Sequence, residues 1–387
     1  MKRLFTLILI LNIIQSNAQN KMPVINASST QAKIYEQEDP AYNWTINPQI
    51  KVDVHITEKL VKTSLIKFKT NLDSISFKLK PGQHKDFIVL LNGKDTCLTR
   101  IQSPEVKNFS HLVAKIHDTI PFFVNKYNTN FFPVFFNNTD TLSMNFDTGA
   151  TEVSFTEDAL KEKIKSNPKL YSTFYNLKIG ARMYKSKIYD IRLAGNETDG
   201  LVGWDNFDGM IVELDYDHNR MIIHSKIPKQ ILHDHAYSKF KIRYIKNKPF
   251  IQGEISQSNS KVKNWFLFDL GYQRTAMLDN DLLKASQFPV SDMKVIKKVI
   301  MHGTKGNEIP VVTANLEKLT LGKFKLYNIP AQLIGQNKPL RGANIHFLGT
   351  DVLKRFNTVL DFQKNIIYLK PNKLYHTLYA DQKKSVG

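Results

Sequence analysis

The chain has 387 residues, with 54 basic against 35 acidic side chains for a formal net charge of +19, and a single cysteine, Cys97. One cysteine excludes an internal disulfide framework and a cysteine metal site, and Cys97 reads as a small packed apolar residue. The basic residues are scattered among acids and apolar positions without a basic helix or nucleic-acid motif; this argues against nucleic-acid binding and favours anionic surfaces or acidic polypeptides.

Taken in chain order, Lys2-Arg3, the apolar run 4–14 and Ser16-Asn17-Ala18 have the three regions of a secretory signal peptide, with cleavage expected after Ala18. Losing Lys2 and Arg3 would leave a charge of about +17. The apolar run is too short for a permanent membrane span, and no cysteine follows it to take a lipid, so an exported mature chain is expected. Short alternating runs at 51–55, 64–68, 74–79, 86–91 and 96–101, punctuated by Pro81-Gly82 and Asn92-Gly93, predict a small β-sandwich-like domain over residues 19–110. At the level of fold it resembles the N-terminal β-modules of some secreted bacterial hydrolases.

Beyond residue 110 the sequence repeats itself. Runs 120–124, 131–136 and 141–146 lead into Asp147-Thr148-Gly149-Ala150; runs 240–245, 249–255 and 264–268 lead into Asp269-Leu270-Gly271. Leu177-Lys178-Ile179-Gly180 mirrors Leu319-Thr320-Leu321-Gly322, and Leu201-Val202-Gly203 mirrors Phe347-Leu348-Gly349. Leu214-Asp215-Tyr216 mirrors Leu360-Asp361-Phe362, and Gly and the later Asp stand twelve positions apart in both halves. Alternation and aromatic content favour hairpins over helices, giving two β-rich lobes at 111–230 and 231–375, and a polar tail at 376–387. Acids on duplicated strand ends suggest a paired-carboxylate site.

Asp147-Thr148-Gly149-Ala150, the two apolar-apolar-Gly elements and Leu360-Asp361-Phe362 resemble the aspartic peptidase superfamily, pepsin-like and retropepsin-like. The resemblance covers roughly residues 115–373 and is nearest to two-lobed bacterial retropepsin-like members. It implies a mainly β fold, a two-lobed acid-protease-like pair of β-barrels behind the N-terminal domain, each acid loop threaded by its lobe's apolar-apolar-Gly strand. It implies Asp147 and Asp269 as catalytic dyad, with Thr148 bracing the lobes and Gly149 and Gly271 allowing close backbone passage. Two carboxylates held about 3 Å apart cannot both ionise, so one can act as base on a water while the other donates to the developing oxyanion. Neither a metal nor another cofactor is needed, and the expected partner is a peptide or protein substrate bound by a monomer with an internal pseudo-two-fold. The alternative on the same scaffold is a catalytically weak or inactive peptide-binding protein; a third reading is a structural surface protein.

Leu270 departs from the family, which carries Ser or Thr there, and Tyr272 follows Gly271 where a small residue is common. Half of the hydroxyl brace is therefore missing, and Leu270→Thr is expected not to reduce activity if that deficit concerns stability alone. A substrate-covering hairpin is expected in the second lobe, with His302, Gly303, Thr304, Lys305 and Gly306 at its tip. The matching stretch of the first lobe reads instead as a helix capped by Thr156. Asp205 and Asp351 read as helix caps, Asp215 and Asp361 as turn residues. His233-Asp234-His235 has strand spacing that would set two imidazoles on one face, but lacks a third ligand and reads as an exposed linker.

Overall fold

The computed structural model describes residues 22–36, 41–113, 115–302, 308–340 and 343–383. The signal-peptide segment 1–18 and the hairpin-tip residues Gly303, Thr304, Lys305 and Gly306 lie outside the described residues.

Strands β1 (Val24–Ala27), β2 (Gln31–Glu36), β3 (Tyr42–Thr45), β4 (Asp53–Ile56), β5 (Ser64–Lys69), β6 (Ser74–Leu79), β7 (His84–Leu91) and β8 (Asp95–Gln102) make two four-stranded sheets, ordered β1-β7-β8-β4 and β3-β2-β5-β6. Period-two alternation sends Ile34, Phe68, Phe87 and Val89 inward, where they form a core separate from the rest of the chain, with Cys97 inside it. Burial of each such side chain contributes about 1.5–3 kcal/mol.

The first lobe contains β9 (His117–Pro121), β10 (Phe123–Val124), β11 (Asn130–Phe136), β12 (Asp140–Asp147), β13 (Val153–Thr156), β14 (Phe174–Ile179), β15 (Arg182–Ile191), β16 (Gly200–Gly203), β17 (Ile211–Asp215) and β18 (Arg220–His224). The second contains β19 (Ser238–Lys241), β20 (Arg243–Ile245), β21 (Lys248–Gln257), β22 (Ser260–Phe268), β23 (Ala276–Asp279), β24 (Val295–His302), β25 (Glu308–Leu321), β26 (Phe324–Ile334), β27 (His346–Leu348), β28 (Phe356–Asp361) and β29 (Ile366–Pro371).

Each lobe closes on itself. The order β11-β12-β16-β13-β15-β14 returns to β11, and β21-β22-β27-β23-β26-β25 returns to β21, so the two barrels share one topology. The mainly β, two-lobed barrel pair with an N-terminal β-domain is therefore the observed architecture. Gly180 (φ +61) and Gly322 (φ +58) make the matching turns after β14 and β25, in a backbone region that disfavours other residues. The second lobe adds β24, which pairs along β25 and has no counterpart in the first. This addition accounts for the wider interval between acid and glycine in the second half of the sequence.

A six-stranded sheet, β19-β29-β28-β17-β18-β9, joins the lobes with three strands from each. At its centre β17 runs antiparallel to β28, with Glu213 opposite Val359. Each of these stands ten positions after its lobe's Gly203 or Gly349, so the repeat pairs with itself across a pseudo-two-fold axis. The runs 120–124 and 240–245, each expected as one strand, are both divided between this sheet and a barrel. The breaks fall at Phe122 and Ile242, whose N–H groups donate to the carbonyls of Asn219 (3.0 Å) and Asn365 (2.9 Å). Unbroken alternation hides such a change of sheet.

The expected helix after Thr156 is a five-residue π-helical turn, Ala159–Lys163, with Ala159 N–H bonded to Thr156 Oγ1 at 3.2 Å. Asp205 and Asp351 are not caps: Gly203 and Gly349 occupy those positions without side-chain bonds. Asp351 instead accepts from Ala380 N–H at 2.8 Å, drawing the end of the chain back onto the second lobe. Asp215 and Asp361 do serve their hairpin turns, accepting from His218 N–H (3.2 Å) and Gln363 N–H (3.0 Å).

Candidate active site

β12 ends on Asp147, and β22 ends on Phe268 immediately before Asp269; each runs parallel to its lobe's apolar-apolar-Gly strand. Phe146 lies beside Val202 and Asp147 beside Gly203, while Phe268 lies beside Leu348. The glycines then pass against the loop that follows the acid: Gly203 N–H donates to Glu152 O at 2.8 Å, and Gly349 N–H to Thr275 O at 2.7 Å. A Cβ on Gly349 would meet Tyr272 O at 2.4 Å, so no larger residue fits there.

This threading brings Asp147 and Asp269, distant in sequence, together at the lobe boundary, each carboxyl against the glycine two positions after the other. Gly149 N–H donates to Asp147 Oδ1 at 2.7 Å; Gly271 and Tyr272 N–H donate to Asp269 Oδ1 at 2.9 and 3.1 Å. Each acid rests on the glycine of the other lobe. A Cβ on Gly149 would lie 2.8 Å from Asp269 Oδ2, and one on Gly271 2.3 Å from Asp147 Cγ.

Thr148 is fully buried and crosses the lobe boundary, donating through Oγ1 to Phe268 O (2.5 Å) and accepting from Leu270 N–H (2.9 Å). The reciprocal hydroxyl is absent because Leu270 is buried in the common core. Asn130 takes over the cross-lobe tie. Its Nδ2 donates to Leu270 O (3.1 Å) and to Thr350 Oγ1 (3.0 Å), and its Oδ1 accepts from Tyr216 OH at 3.3 Å. No motif marks Asn130 in the sequence; its position opening β11 is the one available signal.

A second residue that sequence reasoning missed is Lys248. It opens β21 and donates through Nζ to Gly149 O, next to the first acid. Its ammonium holds both carboxyls toward the ionised form, against burial, which raises both. For Asp269 burial and the neighbouring Asp147 charge prevail, pushing it up to about 8. The two carboxyls thus titrate as a pair and pass through a singly ionised state.

Both acids lie in a cavity of about 1470 Å³ between the lobes. Met277, Tyr272, Ile345 and Phe347 line its second-lobe side, together with Val299, Met301 and Ile309 of the β24–β25 hairpin, which pack in the same apolar cluster. His302 also lines the cavity. The first-lobe wall is Leu193–Asn196 with Asn145 and Leu201; the β14–β15 turn is not part of it. His233-Asp234-His235 lies away from this cavity at the end of a short helix, with His233 Nδ1 bonded to Lys229 O at 2.8 Å. Among the described residues no cluster of three His, Cys, Asp or Glu could hold a metal ion, and no helix is long and apolar enough to cross a membrane.

No family model matches the chain, and no curated protein matches it. Among solved structures it is similar to a crystal structure of an aspartic proteinase from Irpex lacteus, at 15% identity and a TM-score of 0.46, over 67% of this chain and 99% of that one.

Proposed function

We propose that this protein is an aspartic endopeptidase that hydrolyses peptide bonds in extended substrates. The observation that carries this reading is the juxtaposed pair Asp147–Asp269, one acid from each lobe, lining a cavity large enough for several residues of peptide. In the singly ionised pair, the carboxylate would take a proton from a water as it attacks the peptide carbonyl, while the carboxylic acid donates to the carbonyl oxygen. Backbone donation to Oδ1 of each acid leaves the remaining oxygens for this chemistry. The hairpin β24–β25 would fold over the bound chain, and the apolar lining favours a large hydrophobic side chain beside the second lobe. We further propose that the mature chain acts after export, on the strength of the Lys2–Ala18 pattern.

The test is cleavage of a diverse peptide pool by the purified mature chain across pH. Turnover that disappears in both Asp147→Asn and Asp269→Asn supports the proposal; cleavage insensitive to either change rejects the dyad. The buried Leu270 in place of a bracing hydroxyl supports the second reading, a peptide-binding protein of weak or no activity. Peptide affinity without turnover would select it.

A further inference from the structure

We propose that Lys248 is a positioning residue of the Asp147–Asp269 pair, supplying its counter-charge, and that the N-terminal module seats Lys248 through the turn Lys246-Asn247. The proposal takes the acid pair as the site named above and adds to it a charged partner and a role for the module.

The geometry runs from the module to the acids without a gap. Lys246 (φ 50) and Asn247 (φ 56) make the tight turn that points Lys248 toward Gly149 O. The module grips both turn residues. Lys59 N–H donates to Asn247 Oδ1 at 2.8 Å, and the Lys246 ammonium lies 5.6 Å from the centre of the Tyr42 ring. From the first lobe, Trp204 Nε1 donates to Asn247 O at 2.9 Å. Lys59 is itself fixed. It pairs with Asp208, and its ammonium lies 5.0 Å from the ring centres of both Trp204 and Tyr244. Module, first lobe and second lobe therefore meet at the turn that delivers Lys248.

The charged groups acting on the pair are few. Lys248 approaches from the second lobe and Glu152 lies in the loop after Asp147, while Arg274 acts on the neighbouring Tyr272. Lys248 is the charged group that opposes burial at both carboxyls, whereas the N–H groups of Gly149, Gly271 and Tyr272 each act on one acid. By holding Gly149 O it also fixes the loop whose N–H bonds Asp147 and whose open face receives Asp269.

The experiment follows the two aspartate carboxyl carbons by ¹³C NMR against pH in the full chain, with Asp147→Asn and Asp269→Asn assigning the resonances. Lys248→Gln keeps a donor for Gly149 O but removes the charge; the apparent pKa values of the pair should rise by about 1–3 units, the range for loss of a near opposite charge. Lys248→Arg should restore them, and Lys248→Met should repeat the rise. Asn247→Gly keeps the left-handed turn but deletes the acceptor for Lys59, and should give a smaller rise in the same direction. A Lys248→Gln titration identical to wild type overturns the proposal. A rise in Lys248→Gln with none in Asn247→Gly overturns the module's share. Because the carboxyls are read directly, a wild-type chain that cleaves no peptide overturns the endopeptidase reading while leaving this result standing. If it does cleave, both limbs of its pH–rate profile should move upward with the titration in Lys248→Gln.

Discussion

The Asp147 carboxyl rests on the backbone of Gly271, so closely that a Cβ there would lie 2.3 Å from its Cγ. The approach of the two acids is thus set by the absence of a side chain on the opposite lobe. Gly271→Ala should push Asp147 aside at an overpacking cost of about 1–3 kcal/mol. Displacement of a reacting group by 1 Å costs on the order of a hundredfold in rate. The expected outcome is a drop of that size in kcat/KM on a peptide substrate with a modest fall in Tm. Unchanged kinetics would show that the contact does not set the acid spacing.

Burial and the Asp147 charge raise Asp269 to about 8, well above its unfolded value. The folded chain therefore binds this proton more tightly than the unfolded chain does. Its contribution to stability is most favourable below the unfolded pKa and is lost as pH rises through the interval up to about 8. Asp269→Asn removes the ionisation while its Oδ1 can still accept from Gly271 and Tyr272. Its Tm relative to wild type should climb steadily between pH 4 and pH 8, on the order of a few degrees in all. A difference in Tm that is flat with pH would show that the acid is not raised in the folded state.

Thr148 and Leu270 face one another as unequal halves of one brace. Thr148→Val preserves shape but leaves Leu270 N–H and Phe268 C=O without their buried partner. About 1–3 kcal/mol of stability should be lost, with Thr148→Ser retaining most of it. For the stability of Leu270→Thr the structure points to a loss, because Leu270 is fully buried in the core and Asn130 and Thr350 already bond its carbonyl. A hydroxyl there gives up apolar volume for at most one further bond, at a net cost of about 1–3 kcal/mol. Urea unfolding of both variants measures this; a stabilised Leu270→Thr chain would show that the missing hydroxyl is the larger deficit.

Features governed by local pattern were legible in the sequence. The acid-bearing strands, the apolar-apolar-Gly strands beside them and the turn carboxylates Asp215 and Asp361 follow from alternation and from what Asp and Gly do at turns. Features that depend on which distant segments meet were not. Phe122 and Ile242 interrupt strands whose alternation continues unbroken, since only pairing partners distinguish the six-stranded sheet from the barrels. Asn130 and Lys248 carry no motif; they matter because the packing of one lobe on the other sets them beside Leu270 O and Gly149 O. Of the strands that escaped notice, Val24–Ala27 and Tyr42–Thr45 are short, and β2 sends Ala32, Ile34 and Glu36 inward, of which Ile34 alone is a large apolar side chain.

The end of the chain anchors the hairpin that lines the cavity of the acids. Asp381 pairs with Lys297 of β24 at 2.5 Å and with Arg274, beside the Asp269 loop, at 3.5 Å. Its segment is held in turn by Tyr379, whose ring centre lies 3.9 Å from the Arg355 guanidinium, and by Ala380 N–H bonded to Asp351. Among the described residues β24 pairs with β25 alone, and its Val299 and Met301 pack on the second-lobe core, so this tie adds a further constraint at its base. Asp381→Asn leaves two cations without their acid and should free the hairpin without touching the carboxyl pair. Ion pairs with one half-exposed partner contribute about 1 kcal/mol or less to stability, so Tm should hardly move. Amide hydrogen exchange in β24 should rise severalfold and KM for peptide should increase, with the pH profile of kcat unchanged. Exchange in β24 equal to wild type would show that pairing with β25 and packing on the core fix the hairpin without this tie.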